Sequence, residues 1–494
     1  MNSSFHHATV SRRGLMLTGA AAALATPFLN LRAARAQGYA PIIRRDATRM
    51  APDDPFFGDY AQAVNAMHEL ETTNPNDKRS WRNQALMHLE FCPHGRPDFF
   101  AWHRHYLRNF ELACADLIGK PDFALAYWDW TNNNGRVPAV FYDSGALNVT
   151  FWNDPSNAQS DNWSPDEVVT IGHRLTTATF GIGDHPVGAP IFTQQGIADR
   201  LKITDFGDFQ DSIEGQPHGM AHVITGNPDG HMVDGMSPLD PIFWLHHGNV
   251  DRLWAEWQAA GNSVPSQPQT YDGQFVDGQG NPVTGATAAN AVDFEAMGFT
   301  YDTLAGDQPV LVAARAADAS DQPIFAGRMA SERIALGRID AGVSAKVGAP
   351  AEFSVSASGL LDGLFRARTF RTFTRSDAAQ LGAEPGRVLA VLDGVVPTGD
   401  NTNIVGSVYV KSDAAGAEPQ LAGTFAFFGW NPAHVDMGGR RYVVDVTDVL
   451  RDQAESGTLG DESVEFELRA VPLAPGARAE DGGFNVKSIE LVGV

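Results

Sequence analysis

Cysteine is scarce in this chain, and so is positive charge. Only Cys92 and Cys114 occur among 494 residues, which excludes a disulfide-rich scaffold. The 36 lysines and arginines stand against 59 aspartates and glutamates, giving a net charge of −23. Such a surface argues against a nucleic-acid partner, because a polyanion would be repelled. Long apolar runs are also missing after residue 36. Since about 20 apolar residues are needed to span a bilayer, we expect no stable membrane insertion.

The first residues have the pattern of an export signal. Arg12 and Arg13 precede the weakly apolar run LMLTGAAAALATPFLNL, and an A-x-A triplet follows at 34–36. This pattern predicts a twin-arginine signal peptide over 1–36, cleaved after Ala36. A membrane anchor is the alternative, which a proline and an asparagine inside the run disfavour. We therefore expect export by the twin-arginine machinery, to the periplasm or outside the cell. That route carries folded proteins and so suggests a metal acquired beforehand, from a donor that the sequence does not identify.

The mature chain divides into regions of different composition. Residues 37–303 contain helical patterns and most of the histidines, 304–349 are rich in Ala, Asp and Gly, and 350–494 consist of short β-branched and aromatic runs between turns. The pattern predicts a mostly α first domain, a linker with a few ordered pieces, and an antiparallel β-sandwich. A chain of this length exceeds one ordinary core, so two domains are expected. The histidines place the chemistry in the first.

One histidine cluster lies between residues 218 and 247. His218 and His222 are four positions apart, so on a helix both imidazoles project from one face and can share one ion. Asp240, followed by proline, is typical of a helix start, and the helix that follows carries His246 and His247. Adjacent helical residues point about 100° apart, so only one of this pair faces the same ion. The spacing does not choose between them.

A second cluster lies in and before CPHGRPDFFAWHRHYL, residues 92–107. His94 precedes a helix that carries His103 and His105, which point about 200° apart, so again only one faces inward. His88 adds an imidazole from another helix. Two sets of three imidazoles, facing each other inside a four-helix bundle, suit copper, zinc or iron. Di-iron sites usually use bridging carboxylates and zinc hydrolases seldom keep two three-histidine centres, so these two alternatives are disfavoured but stay open.

Three segments resemble a known family, the type 3 copper proteins of the tyrosinase and catechol oxidase (polyphenol oxidase) branch. They are CPHGRPDFFAWHRHYL, SIEGQPHGMAH and DPIFWLHHGNVDRLW. The strand-rich end is similar to the C-terminal domain of plant polyphenol oxidases. The resemblance implies a bacterial member with an α-helical dicopper domain followed by a plant-like β-sandwich domain.

The resemblance also implies which residues bind two copper ions. The six expected ligands are His88, His94 and His103 for copper A, and His218, His222 and His247 for copper B. His68 is the alternative to His88. Cys92 matches a Cys-x-His pair that forms a thioether to the ligand imidazole, here His94, in several members. Otherwise Cys92 is a small buried hydrophobe, as we expect Cys114 to be.

The activity implied by the resemblance is oxidation of small phenols by O2. Catechols (o-diphenols) would become o-quinones, and monophenols could first be hydroxylated in the ortho position. Glu214 lies where relatives place a glutamate that orients a water molecule, and this water can remove the proton of the phenol. The alternative is that Glu214 has only a structural role. Gly219 stands where many good hydroxylases carry Asn, so diphenol oxidation is the safer expectation. Val223 would line the entrance to the substrate pocket.

Two alternatives share the same six histidines. Haemocyanins, which also pair a copper domain with a β-sandwich, use such a centre to bind O2 reversibly behind a covered pocket. A C-terminal domain could cover the pocket of an oxidase in the same way, keeping it latent until cleavage near residues 302–349. The sequence favours the oxidase.

Overall fold

The structure, a computed structural model, describes residues 41–153, 170–305, 333–340, 342–356, 386–399, 403–414, 416–430, 438–459, 463–473 and 481–494. The expected signal peptide lies outside the described residues. Up to residue 305 the fold is mainly helical. Its longer helices are α1 (Pro55–Thr73), α2 (Trp81–Phe91), α3 (Phe99–Leu117), α4 (Gln194–Leu201), α5 (Phe206–Ile213), α6 (Gly219–Gly226) and α7 (Ile242–Ala259). Four-residue helices span Val149–Trp152, Ala288–Ala291 and Asp302–Ala305.

Side-chain caps explain where several of these helices begin. The carboxylate of Asp54 accepts a hydrogen bond from the Phe56 amide at 3.0 Å, with proline at the first position of α1. Asp240 accepts a hydrogen bond from the Ile242 amide at 3.0 Å, but Pro241 is the N-cap residue and α7 begins at Ile242, one position later than the sequence predicts. Helix α7 packs on α3 through Trp244, whose ring stacks 3.4 Å from that of Phe110.

Helices α5 and α6 are joined by a π-helical turn, Glu214–His218. Pro217 lies inside this turn and, having no N–H, cannot donate to a helical ladder. Wide turns of this kind recur at functional sites. Here the turn carries His218 and Glu214, two of the residues singled out from the sequence.

A buried network of charged groups fixes α3 against α7. Arg44 donates to Glu111 at 3.1 Å and to Asp251 at 3.0 Å, and Arg104 donates to the second oxygen of Asp251 at 2.5 Å. The Tyr301 hydroxyl also donates to Asp251, at 2.5 Å. Arg44 ends β1 (Ile42–Arg44) and Tyr301 ends β2 (Phe299–Tyr301), which pair in parallel. The network thus ties both ends of the helical region to two helices that carry candidate ligands.

The second domain is antiparallel. Its strands are β3 (Ile334–Ile339), β4 (Val343–Lys346), β5 (Ala351–Ser356), β6 (Val388–Thr398), β7 (Ile404–Val410), β8 (Gln420–Ala426), β9 (Arg440–Asp445), β10 (Ser463–Pro472), β11 (Gly483–Val486) and β12 (Ser488–Gly493), with one helix, α8 (Thr447–Ser456). One sheet has the order β5-β10-β7-β8 and the other β3-β12-β6-β11-β4, with β9 on β6. Side chains of both sheets, such as Val408 and Leu491, share one core. The expected fold class, a helical domain followed by an antiparallel β domain, is confirmed.

The start of the β domain differs from the composition-based boundary. Strands β3 and β4 lie within the expected linker, 304–349, and pair with β12 and β11 near the end of the chain. These partners are more than a hundred residues away in sequence, so local composition could not reveal the pairing. The first part of the expected linker, up to residue 332, lies outside the described residues.

The two domains pack closely. Ala426, Phe428 and Val443 of the β domain are buried in the hydrophobic cluster of the helical domain. Phe428 lies just after β8, and Val443 lies in β9. Within the described part of the chain, no helix is both long enough and apolar enough to cross a bilayer.

Candidate metal centre

The first histidine cluster brings together His88 on α2, His103 on α3 and His94 on the loop between them. Their ring centroids are 5.4 to 5.9 Å apart. The Nδ1 atom of His88 lies 2.8 Å from the Gly235 carbonyl oxygen, and that of His103 lies 2.7 Å from the Phe99 carbonyl oxygen. A carbonyl only accepts, so each Nδ1 carries the proton and leaves the lone pair on Nε2.

The second cluster follows the same rule. His218, at the end of the π-helical turn, donates from Nδ1 to the Glu214 carbonyl at 3.0 Å, and His222 on α6 donates to the Met232 carbonyl at 2.9 Å. Nε2 of His222 lies 3.4 Å from Nε2 of His247. The buried Nε2 atoms of His88 and His218 have no hydrogen-bond partner among the described residues. Burying such lone pairs without a partner costs free energy, which a cation bound between them would offset.

The structure distinguishes the two adjacent histidines of α7. The ring of His247 stacks 4.4 Å from that of His103 and lies 5.1 Å from that of His218, so it lies between the two clusters. His246 also offers a nitrogen near His218 and His222. The ring of His246 lies among those of His218, His222 and Trp130, 4.5 to 5.3 Å away, whereas the ring of His247 also stacks on His103 of the first cluster. His247 remains the ligand that the family resemblance implies.

Burial keeps these imidazoles neutral. All six histidines are at most 7% exposed. Loss of hydration penalises the charged imidazolium, and it lowers the pKa of His88 to about 4 and that of His218 to about 3. Neutral imidazole is the form that binds a metal ion. Two buried groups of three neutral nitrogen donors fit two copper ions, since no described carboxylate completes either group.

Cys92 lies beside the first cluster. Its Sγ atom is 3.3 Å from Nδ1 and 3.6 Å from Nε2 of His94, so it lies near the Cε1 atom that separates these nitrogens. It is also 3.3 Å from Nε2 of His103. Burial raises the pKa of the Cys92 thiol well above its ordinary value. The thiol is thus neutral and in contact with the imidazole with which a thioether was expected.

Three of the residues weighed from the sequence lie away from the clusters. His68, the alternative to His88, stacks on Trp152 with 3.5 Å between ring centroids. His105 lies 3.0 Å from the Thr287 carbonyl oxygen on the opposite side of α3. Cys114 is fully buried in the hydrophobic cluster. All three residues therefore make packing or hydrogen-bond contacts away from the candidate metal centre.

Glu214 is buried beside the centre and is not solvated. One carboxylate oxygen accepts from the Gly95 amide at 2.6 Å and from Arg440 of the β domain at 2.6 Å. Burial raises the pKa of Glu214 to about 7, while the charge of Arg440 acts in the opposite direction. Next to it, a Cβ atom at Gly219 would lie 3.2 Å from Cβ of Ala426. Val223, on the same helix as Gly219, is buried.

The sequence reading missed the residue that covers the centre. The ring of Phe428 stacks on that of His222, 3.6 Å away and inclined by 10°, and lies 5.1 Å from His94. The next residue, Gly429, has a φ of 72°, and a Cβ atom there would lie 2.4 Å from Cγ of His94. Only glycine allows this approach. The aromatic run FFGW was the available signal, but nothing local places it at a metal centre 200 residues earlier in the chain.

The comparisons with known proteins agree with this site. Residues 59–260 match the model of the common central domain of tyrosinase. The chain is 32% identical to the tyrosinase of Streptomyces glaucescens over 227 residues, 42% of this chain and 80% of the relative. It is 27% identical to the chloroplastic polyphenol oxidase of Spinacia oleracea over 310 residues, 53% of this chain and 47% of the relative. The chain belongs to the tyrosinase family. It spans about half the length of the plant relatives that it matches.

Two solved structures share the two-domain fold. Latent apple tyrosinase matches with a TM-score of 0.55 at 20% identity, over 92% of this chain and 97% of that one. A functional unit of octopus haemocyanin matches with a TM-score of 0.50 at 16% identity, over 90% and 99%. The helical domain and the strand-rich domain are thus arranged as in both kinds of protein.

Proposed function

We propose that this protein is a copper-dependent phenol oxidase that converts o-diphenols to o-quinones with O2. The observation that carries the proposal is the pair of buried three-imidazole groups whose Nε2 lone pairs face inward. The proposed ligands of the first copper are His88, His94 and His103, and those of the second are His218, His222 and His247. With both copper ions bound, the centre would supply activation of O2 and two-electron oxidation of the phenol.

The residues around the centre favour catechols over monophenols. Glu214 is positioned to take the proton of an incoming hydroxyl, directly or through a water. Gly219 offers no side-chain amide to hold such a water, so we expect hydroxylation of monophenols to be weak. An aromatic substrate would stack on His222, where the ring of Phe428 lies, with Val223 beside it.

We further propose that the uncut chain is latent. Phe428 and Gly429 fill the space above His222 and His94, so a phenol reaches the centre only when the β domain moves away or is removed. The same cover is compatible with a haemocyanin-like oxygen carrier, which is the second candidate function. Removal of the β domain distinguishes the two, because a carrier would bind O2 without turning over catechol.

The decisive experiment compares uncut and protease-trimmed protein, both loaded with copper. We expect two copper ions per chain in both samples. The uncut protein should form little quinone, and the trimmed protein should form it rapidly. The His103→Gln variant should lose copper and activity, whereas His105→Gln, two residues along α3, should keep both. A trimmed protein that binds two copper ions but leaves catechol unchanged would refute the oxidase.

We also propose a thioether between Cys92 and Cε1 of His94, and export by the twin-arginine route. Forming the thioether would remove one hydrogen atom from the thiol and one from the ring, and O2 would take up both as hydrogen peroxide, with the bound copper supplying the electron transfer. The intact mass should fall by two hydrogens after copper and oxygen treatment, and Cys92→Ser should abolish the change. Export predicts that the protein recovered outside the cytoplasm begins at Gln37.

A further inference from the structure

Four arginines of the β domain pair with carboxylates of the helical domain. The pairs are Arg333–Asp208 at 3.3 Å, Arg387–Asp199 at 3.0 Å, Arg440–Glu214 at 2.6 Å, and Arg441 with both Asp208 and Asp211. Among these pairs, Arg440–Glu214 is the most deeply buried, with the two side chains 3% and 2% exposed. It is also the pair that reaches the proposed metal centre.

Arg440 binds two different parts of the centre at once. Its Nη2 atom donates to Glu214, and its Nη1 atom donates to the main-chain carbonyl oxygen of Phe428 at 2.5 Å. The guanidinium therefore links a carboxylate of the helical domain to the backbone of the residue whose ring covers His222. Gly95 leaves room for this side chain, because a Cβ atom there would lie 3.0 Å from Nε of Arg440.

We propose that Arg440 is the positioning residue that holds residues 427–430, here called the plug turn, against the metal centre. A charged fork fixes two groups in a defined geometry, whereas the ring of Phe428 makes only apolar and stacking contacts. The proposal rests on the proposed function and adds its regulation. The side chain that positions the plug turn also pairs with Glu214, the proposed base. While this pair is formed, the pocket is covered and Glu214 is not free to accept a proton; both become accessible when the turn moves away.

Arg440 adds a charged hydrogen bond to the turn, beside the stacking of Phe428 on His222. The internal hydrogen bond of the turn runs from the Trp430 amide to the Phe427 carbonyl at 3.0 Å. Without Arg440, the Phe428 carbonyl would lose its charged donor, and Glu214 would be buried without a cation. A buried carboxylate without a cation disfavours the docked arrangement. The plug turn should therefore open more often while the rest of the interface stays closed.

The test compares Arg440→Gln with Arg441→Gln in the full chain. Both arginines lie on β9 and pair with carboxylates of the helical domain, but Arg441 binds Asp208 and Asp211, whereas Arg440 binds Glu214. In copper-free protein, R440Q should increase the rate of hydrogen exchange at the amides of the plug turn by about tenfold or more. R441Q should increase this rate much less. In copper-loaded uncut protein, R440Q alone should raise catechol turnover toward the trimmed level.

A conservative variant guards against a folding defect. Arg440→Lys keeps the charge but not the fork, so exchange of the plug turn should lie between wild type and R440Q. Unchanged exchange in both Arg440 variants, or an equal increase in R441Q, would overturn the proposal. Failure of the trimmed wild-type protein to oxidise catechol would refute the proposed function instead, and the exchange result in copper-free protein would still stand.

Discussion

At the scale of single residues, His246 and His247 show how neighbouring identical side chains receive different roles. They follow each other on α7, and both are fully buried. The ring of His247 stacks on that of His103 in the first cluster, whereas the ring of His246 lies among those of His218, His222 and Trp130. The difference comes from the rotation of about 100° per helical residue, which turns only one ring toward the opposite cluster.

This difference predicts the copper content of two matched variants. His247→Gln should reduce copper from two ions to about one per chain, because one three-nitrogen group loses a donor. His246→Gln should retain both ions. Metal analysis of the purified, dialysed variants checks the prediction. The reverse outcome would make His246 the ligand.

A second residue-scale prediction concerns His68 and acid. Burial lowers the pKa of His68 to about 3, while the unfolded chain has an ordinary histidine pKa of about 6.5. The unfolded state therefore binds more protons below pH 6.5, and stability falls as the pH falls toward 3. Between pH 7 and pH 5 this group alone costs about 2 kcal/mol.

Denaturant unfolding of copper-free protein at pH 7 and pH 5 measures this effect. His68→Phe keeps a ring to stack on Trp152 and should lose about 2 kcal/mol less than wild type on acidification. Thr72→Ala, on the exposed side of α1, should show the wild-type pH dependence. An H68F variant with the wild-type dependence would mean that His68 titrates normally in the folded protein.

At the scale of elements, Asp251 holds the helices that present the ligands. It accepts hydrogen bonds from Arg44, Arg104 and Tyr301, joining β1, α3 and β2 to α7. The family motif DRLW therefore includes a residue of structural importance, although its partners could not be inferred from the motif. The positions of His103 and His247 depend on this network, since they lie on α3 and α7.

Removing one charge from the network should be costly. Asp251→Asn leaves two buried guanidiniums without their shared carboxylate, and we expect a loss of about 3–5 kcal/mol in the free energy of unfolding. Glu256→Gln, which breaks the partly exposed pair with Arg252 on the same helix, should cost about 0–1 kcal/mol. Denaturant unfolding of both variants measures the two costs. Similar small losses in both would show that the network contributes little.

At the scale of the whole molecule, two adjacent phenylalanines serve different domains. Phe427 is buried in the core of the β domain, while Phe428 is buried in the cluster of the helical domain. The chain thus crosses the interface between these two residues. The proposed latency depends on this crossing, because it places the second ring over His222.

Substitutions of these two phenylalanines should therefore affect different properties, one the activity and the other the stability. Phe428→Ala should raise catechol turnover of the uncut, copper-loaded protein, because it opens the space above His222. Phe427→Ala should lower the free energy of unfolding of the β domain by about 3–5 kcal/mol. Quinone absorbance and denaturant unfolding measure the two effects. Low turnover in uncut F428A, together with high turnover after trimming, would mean that other parts of the interface exclude the substrate.

The sequence by itself determined the helical and strand-rich regions and the residues able to bind metal, because those depend on local periodicity and residue type. The four-residue spacing of His218 and His222 and the turn-separated β-branched runs are examples. The spacing could not choose between His246 and His247; the family resemblance implies His247, and only the tertiary structure shows that its ring stacks on His103 of α3. Phe428 and Arg440 were found only in the tertiary structure. Arg440 reaches Glu214 across 226 residues of sequence, and contacts between distant segments depend on how the domains pack and leave no periodic signal in the chain.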